Sequence, residues 1–415
     1  MSESQNASGG RQRVLVTVSG PDAPGITASL TGSLAGKQVA LLDVEQVVVQ
    51  GHLILALLLG LDATPARGAP VLKDLLFTAK SHGLDLDFRV LDDEELAPRE
   101  ELAEFRRYAV TAIGDAFDAT GLHVIADTLA KKRANIEGVR QLSDGSLVSV
   151  EVIVSMSGAP ERQGIELRRD LLAAVSGYGV DIAVQRETVT RRSKRLVVMD
   201  MDSTLISIEC IDELARLHGV ADRVESITAR AMAGELDFEQ SLRERVALLE
   251  GMEHERVLAL SRDLPLTDGA EDLLYVLRAL GYKTALVSGG FTFAANALKD
   301  RLGIDYTYAN QLEVANGRLT GRVLDPIVGP QRKADLLDAI AQGEGISLEQ
   351  TIAIGDGAND LGMLERAGLG IAFHAKPKLR QAADTTVSEG GLDRILYLLG
   401  LRAREVAEIL EQRPR

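Results

Sequence analysis

Two aspartates one residue apart, Asp200 and Asp202, stand directly after the apolar run Leu196–Met199. A carboxylate at the end of a buried strand can attack phosphorus and carry the phosphoryl group as an aspartyl-phosphate. Its neighbour at i+2 faces the same site. It can protonate a leaving alkoxide and later take a proton from water. Two carboxylates this close repel unless a cation lies between them, which points to Mg2+. Three further segments carry matching chemistry. Val287-Ser288-Gly289-Gly290 offers a hydroxyl and bare backbone N–H groups to phosphate oxygens. Lys333, in GPQRKADLL at a helix start, can neutralise phosphate and the nucleophile, with Arg332 beside it as a competing candidate. In IGDGAND, Asp356 ends an apolar run and can complete a metal shell. Asn359 and Asp360 can cap the next helix or orient metal ligands.

These residues need a scaffold that brings strand ends together. RLVVMD, KTALVSGG and TIAIGDG are short apolar runs that each stop at a polar or Gly-rich turn, with helical patterns between them. That pattern predicts a parallel sheet with helices on both faces. Ligands bind such sheets at the carboxyl ends of the strands, so the polar ends should converge on one crevice. The chain between the first two strand ends is too long for a single crossover helix. Ile208 to Asp263 reads as mostly helical, which predicts a small cap that excludes water and reads the substrate. Asn310 to Leu324, with Asn316-Gly317 at its tip, reads as a hairpin at the edge of the site.

The N-terminal half reads differently. Arg13–Ser19, Val39–Val49, His52–Leu59 and Leu84–Leu91 have strand character, with helices from Ile26 and over Pro70–Ser81. The order is βαββαβ, and it recurs after roughly 90 residues. In the second copy the strands are Tyr108–Ala112, Asn135–Leu142, Leu147–Ser155 and Val180–Arg186. The helices are Leu122–Lys132 and Arg162–Tyr178, and Asp144-Gly145 marks the hairpin turn. The acidic, proline-containing Asp92–Glu101 reads as a linker, and the basic stretch Arg191–Arg195 as a second boundary. The expected divisions are a disordered tail over 1–10, modules over 11–96 and 97–190, and a C-terminal domain over 191–415 with its cap over about 206–265.

The composition narrows the classes. The chain has 415 residues, too many for one core. It carries 46 Lys plus Arg against 61 Asp plus Glu, for a formal charge of −15. Such a chain has no electrostatic footprint for nucleic acid or an anionic membrane. Cys210 is the single cysteine, so no intrachain disulfide forms, as expected of a reducing compartment. The longest apolar run, Leu53–Leu61, falls far short of the ~20 residues of a membrane helix, and the first residues lack a signal-peptide shape. A cytoplasmic protein is expected.

The four motifs, in this order, resemble the haloacid dehalogenase superfamily of phosphotransferases. DMDSTLISIECIDELA, AMAGELDFEQSLRERVALLEG, VSGGF and GDGANDLGML further resemble its phosphoserine phosphatase family, over essentially residues 195–400. The resemblance implies Asp200 as nucleophile and Asp202 as acid/base. It implies Mg2+ held by Asp200, the backbone carbonyl of Asp202, and Asp356. Ser288, Gly289, Lys333 and Asn359 would serve the phosphoryl side. Glu209 would pair with the substrate ammonium, Arg245 would hold its carboxylate, and Met232 and Phe238 would line the apolar wall. The two βαββαβ units resemble ACT domains, amino-acid-binding modules, over about residues 11–188. GPDAPGI places Gly25 in the ligand loop, and GDAFDATGL offers Gly121 as the second copy's counterpart. The expected fold is α/β. A haloacid-dehalogenase-like Rossmannoid parallel sheet with a helical cap follows two ferredoxin-like ACT domains. The implied activity is hydrolysis of O-phospho-L-serine, with L-serine as feedback ligand and a homodimer or higher homo-oligomer formed through the ACT domains. A phosphatase for phosphohomoserine or phosphothreonine, one with a side activity on phosphoproteins, and a non-catalytic amino-acid sensor are the alternatives.

Overall fold

Alternation of apolar residues builds the first sheet, in strands β1 (Arg11–Pro21), β2 (Ala40–Val49), β3 (His52–Asp62) and β4 (Asp85–Leu91). The computed structural model describes residues 11–414 apart from 38, 63–64, 92–105, 116, 146, 158–159, 377–378 and 381–382. The expected tail and the Asp92–Glu101 linker lie outside the described residues. The order is β2-β3-β1-β4, antiparallel throughout. Val14, Val16 and Val18 of β1 and alternate leucines of β3 bury one face against α1 (Ile26–Leu34) and α2 (Pro65–Ser81). Leu41, Val44, Val47 and Val49 of edge strand β2 stand about half exposed. Helix α2 starts five residues before its expected beginning and runs through Pro70, which forfeits one helical hydrogen bond.

Residues 1–103 and 104–415 form two compact units. In the second unit β5 (Arg106–Gly114), β6 (Asn135–Gln141), β7 (Val148–Met156) and β8 (Asp181–Arg186) repeat the first pattern, with α3 (Ala119–Lys131) and α4 (Pro160–Ala174) on one face. Helix α4 ends about a turn before the expected Tyr178. Its apolar spacing continues through Val175, but Gly177 and Gly179 adopt positive φ (89° and 63°) and turn the chain.

The repeat does not stop at its own edge. Strands β9 (Leu196–Met199), β10 (Lys283–Phe291), β11 (Tyr306–Ala315), β12 (Arg318–Leu324), β13 (Thr351–Gly355), β14 (Gly370–Phe373) and β15 (Thr385–Val387) join it in one eleven-stranded sheet. Its order is β12-β11-β10-β9-β13-β14-β15-β8-β5-β7-β6. The junction is an antiparallel bridge between Thr385 and Ala183. Asp181 secures it by accepting from Thr386 Oγ1 (2.9 Å), Ser388 N (2.6 Å) and Ser388 Oγ (2.8 Å). The basic stretch at 191–195 is part of this seam. Arg191 is buried, bonded to Glu151 and, at 2.7 Å, to Glu187. Lys194 donates to the Glu349 carbonyl at 2.6 Å.

Strands β10, β9 and β13 are parallel neighbours at the centre of the C-terminal sheet. The expected cap is present as α5 (Cys210–His218), α6 (Ala221–Met232), α7 (Phe238–Ala247) and α8 (His254–Leu260). The sheet is further served by α9 (Ala270–Ala279), α10 (Thr292–Leu302), α11 (Pro330–Gly343) and α12 (Leu361–Arg366). β11 and β12 form the expected hairpin, with Asn316 (φ 51°) and Gly317 (φ 71°) at its tip. No helix among the described residues is long and apolar enough to cross a membrane.

Candidate active site

Asp200 follows β9 and is tied to its neighbour strand, its N–H donating to Ile354 O at 2.9 Å. The carboxylate is nearly buried. Its Oδ1 accepts from Met201 N (2.7 Å) and lies 2.8 Å from Lys333 Nζ. The next residues close a tight loop, with Leu205 N and Ile206 N both donating to Met201 O (2.9 and 3.0 Å). That loop returns Asp202 to the crevice, where its Oδ1 faces Cys210 N at 3.4 Å. Burial, then the charges of Glu209 and Asp200, hold the Asp202 carboxyl well above the usual range. A protonated carboxyl there can donate a proton.

Lys333 lies in the first turn of α11, whose start is preset by Pro330 at the first helical position. It has no solvent exposure and lies between Asp200 and Asp360, 2.7 Å from the latter's Oδ1. Burial alone would push its ammonium down, but the two carboxylates outweigh it and the pKa rises. Of the two basic candidates, the one paired with Asp200 is therefore Lys333.

Ser288 and Gly289 lie where β10 slips register against β11, between Val287 and Phe291. Gly290 N donates to Ser288 Oγ at 2.9 Å. A Cβ on Gly290 would sit 2.5 Å from Asp202 Oδ2, and one on Gly289 would sit 2.8 Å from the Phe238 ring. Both positions need glycine because the cap and the acid approach the backbone this closely. Asn310 pins the segment, donating from Nδ2 to Gly289 O (2.8 Å) and accepting Val328 N (2.7 Å).

Asp356 ends β13, and its pKa is pushed up to about 7 by burial, then by Asp200 and Asp360. Carboxylate oxygens of Asp200, Asp356 and Asp360 lie within 4.8 Å of one another. An all-oxygen, acid-rich set of this kind fits a hard divalent cation. Asp360 is committed elsewhere: Oδ1 meets Lys333, and Oδ2 accepts Gly357 N at 3.1 Å. Its carboxyl is raised by burial and by Asp200, with Lys333 opposing. Asn359 is half-buried beside it.

The cap supplies the remaining expected residues unevenly. Glu209 sits at the N-cap of α5 and accepts a 2.8 Å hydrogen bond from Ser203 Oγ. Ser203 has φ 57°, a left-handed conformation that a serine adopts at a cost of order 1 kcal/mol. Arg245 is half-buried on α7. Burial lowers its pKa against the pull of Asp212, Glu209 and Asp202, so the guanidinium faces the acids of the crevice. Phe238 packs on Gly289 and Gly329. Met232 does not join it. As the last residue of α6, before a turn with Gly234 at φ 81°, it is 73% exposed.

Sequence reasoning gave Ser203 and Asn310 no task, and gave Asp360 only a choice of two. Ser203 sits inside a quoted motif, and its contact crosses a loop. Asn310 carried no signal beyond its place at the start of the hairpin.

The two ACT-like modules differ at their first helix. Gly25 is the N-cap of α1 at φ 93°, with open space where a Cβ would be. In the second copy the N-cap is Asp118, which accepts from Thr120 N and Gly121 N. Gly121 is thus a helical residue three positions on, and its missing Cβ makes room for the Phe117 ring. It is not the counterpart of Gly25.

Comparison with known proteins follows the same divisions. A haloacid dehalogenase-like hydrolase model matches residues 197–365, and ACT domain models match 12–89 and 107–185. A phosphoserine phosphatase of Streptomyces coelicolor is 43% identical over 399 residues, covering 95% of this chain and 93% of that one. The phosphoserine phosphatase SerB2 of Mycobacterium tuberculosis is 39% identical, covering 95% and 94%. Among solved structures, a HAD family hydrolase from Salmonella enterica serovar Typhi superposes with TM-score 0.61 at 28% identity, covering 70% of this chain and 98% of that one. A probable phosphoserine phosphatase from Vibrio cholerae superposes with TM-score 0.54 at 34% identity, covering 74% and 89%.

Proposed function

Because this chain belongs to the phosphoserine phosphatase family of haloacid dehalogenase-like hydrolases, we propose that it hydrolyses O-phospho-L-serine to L-serine and phosphate through an aspartyl-phosphate on Asp200. The observation that carries the reading is the buried Asp200–Lys333–Asp360 chain beside Asp356, with the Asp202 carboxyl returned to the same crevice by a tight loop.

Asp200 attacks phosphorus in line, and Lys333 holds its unprotonated oxygen in place beforehand. Asp202 gives its proton to the departing seryl oxygen. As a carboxylate, it then takes a proton from the water that opens the acyl phosphate. Ser288 Oγ and the N–H of Gly289 hold phosphoryl oxygens, while Asn359 flanks them. Asp200, Asp356 and the backbone carbonyl of Asp202 would hold Mg2+, which when bound neutralises phosphoryl charge. Glu209 meets the substrate ammonium, Arg245 its carboxylate, and Phe238 the methylene.

The test is phosphate release from L-phosphoserine with Mg2+, in wild type, Asp200→Asn and EDTA-treated samples. Release that vanishes in both controls supports the nucleophile and the metal together. Release that persists in Asp200→Asn would overturn the covalent route.

Two wider readings accompany this one. L-serine binds at the first ACT module near Gly25 and lowers turnover, and the chain works in the cytoplasm. It assembles as a homodimer or higher homo-oligomer through its ACT modules, covering the half-exposed apolar residues of β2. Equilibrium dialysis of the full chain with L-serine, and its sedimentation mass, test these two points. No serine bound, or a monomer at working concentration, would overturn them respectively.

A further inference from the structure

Away from the strand ends, a cavity of about 640 Å3 opens along the seam where the second βαββαβ copy meets the C-terminal sheet. It lies wholly within the unit formed by residues 104–415. Its size is that of a small-molecule site, and such sites favour junctions of this kind. Part of the lining is apolar, from Ile113, Leu172, Val175 and Val180. Part is basic and comes from three separate stretches: Arg168 and Arg169 of α4, Arg380 beyond β14, and Arg394 beyond β15.

These arginines are steadied by the surrounding fold. Arg394 Nη2 donates to both oxygens of Asp115 (2.9 and 2.8 Å). Arg168 bonds the Ala383 carbonyl and lies 3.8 Å from Asp384. Arg169 Nε meets Asp170 at 3.0 Å, and Arg380 Nε donates to Ala375 O at 2.7 Å. A guanidinium has five N–H donors in a planar fork, so holding Arg169, Arg380 and Arg394 by one or two contacts each leaves others and removes rotamer freedom. Ordering cost on binding falls accordingly. Of the two acids in the lining, Asp181 already accepts three hydrogen bonds from Thr386 and Ser388. Glu389 is exposed at the rim. The lining thus combines donors suited to an oxyanion with side chains suited to hydrocarbon.

We propose that this seam cavity is a second binding site, for a small molecule that carries a carboxylate or phosphate group on a compact apolar body. The site shares no residue with the catalytic crevice but is connected to it. Its floor at Thr386 and Ser388 belongs to the β15 end, β15 pairs with β14, and β14 pairs with β13, which ends at Asp356.

The experiment titrates the full chain with 3-methylbutanoate, 3-methylbutyl phosphate and, as the uncharged control, 3-methylbutan-1-ol, read by calorimetry. Two variants locate the binding: Arg169→Gln/Arg380→Gln, which changes exposed side chains, and Leu172→Trp, which fills the apolar wall. Phosphate release from phosphoserine checks that both remain folded. The expected result is binding of at least one anion, weakened about tenfold or more in both variants, as loss of a charge-assisted hydrogen bond implies. The alcohol should not bind. Loss of carboxylate binding alone assigns a carboxylate ligand. Loss of phosphate binding alone assigns a phosphate ester, since any phosphate held in the catalytic crevice survives both variants. The proposal is overturned if neither anion binds, if binding persists in both variants, or if the alcohol binds as well as the anions. The arginines would then be only a clasp across the seam.

Discussion

At the strand ends, Asp200 and Asp360 share buried Lys333 with Asp356 beside them, and the pKa values of Asp356 and Asp360 are raised. At the seam, buried Arg191 meets Glu151 and Glu187, with Arg192 also bonded to Glu187 from the surface. Both clusters lie in the same unit, and both lost hydration on folding. The seam cluster is matched charge for charge, so it serves cohesion. The strand-end cluster is left with excess negative charge, a cost that folding alone does not require. Buried charge left unbalanced marks a place where something else is meant to bind, on the reading proposed above a cation and a phosphoryl group.

Five substitutions can break or sharpen this contrast. Asp200→Asn should lower phosphate release by about 10^4-fold or more, as loss of a nucleophile does. The thermal midpoint should hold or rise, because one acid has left an acid-rich cluster. A collapse in stability would place Asp200 with the seam cluster. Arg191→Met should do the opposite. Glu151 would stay buried without its partner while Glu187 kept only Arg192, at a cost of about 3–5 kcal/mol in urea unfolding. Turnover per folded molecule should stay within about twofold, the size of change expected away from the site. A large loss of turnover at full stability would contradict the contrast.

Ser203→Ala removes the hydroxyl that donates to Glu209 on the catalytic side. If Ser203 holds Glu209 for the ammonium, KM for phosphoserine should rise about tenfold with kcat nearly unchanged. The same variant should treat 3-phosphooxypropanoate, which lacks the ammonium, as wild type does. An equal rise for both substrates would make Ser203 a structural residue only. Glu209→Gln with the same pair of substrates tests the role of the acid independently.

The smallest effect belongs to Lys194, whose pKa burial pushes down to about 8 from an ordinary 10.5. Between those values the unfolded chain keeps a proton that the folded chain has released. Stability from this group therefore rises as pH climbs from about 8 towards 10.5. Lys194→Met should flatten the dependence of the urea midpoint on pH over that window. Parallel slopes in variant and wild type would show that Lys194 does not titrate there.

The catalytic end was legible because its residues lie in short contiguous motifs at strand ends, where type and spacing alone carry the chemistry. The two βαββαβ copies were legible from their period. The seam was not. Thr111, Ser149, Glu151 and Gln185 alternate with apolar neighbours and so read as a solvated face, yet all four are buried. Part of what meets that face comes from far along the chain: Gln185 Nε2 donates to Leu398 O at 3.0 Å, and Ala403 N donates to Leu142 O at 2.7 Å. No local pattern can announce a covering element that lies more than two hundred residues away. Arg191 read as part of a domain boundary because its buried partner Glu151 lies on β7, in another element. Met232 was placed by resemblance alone, and nothing in its own sequence neighbourhood could set the position of the cap end.

The bridge between β8 and β15 also sets a timetable for synthesis. Thr385 Oγ1 donates to Ile182 O across 203 residues. At ~5–20 residues per second, β8 leaves the ribosome about 10–40 s before its neighbour exists. Throughout that interval the second module presents an unpaired strand edge, and its buried polar face has nothing to cover it. The nascent chain is thus open to mispairing throughout that interval, and slowing any stretch of codons between the two strands would lengthen the exposure.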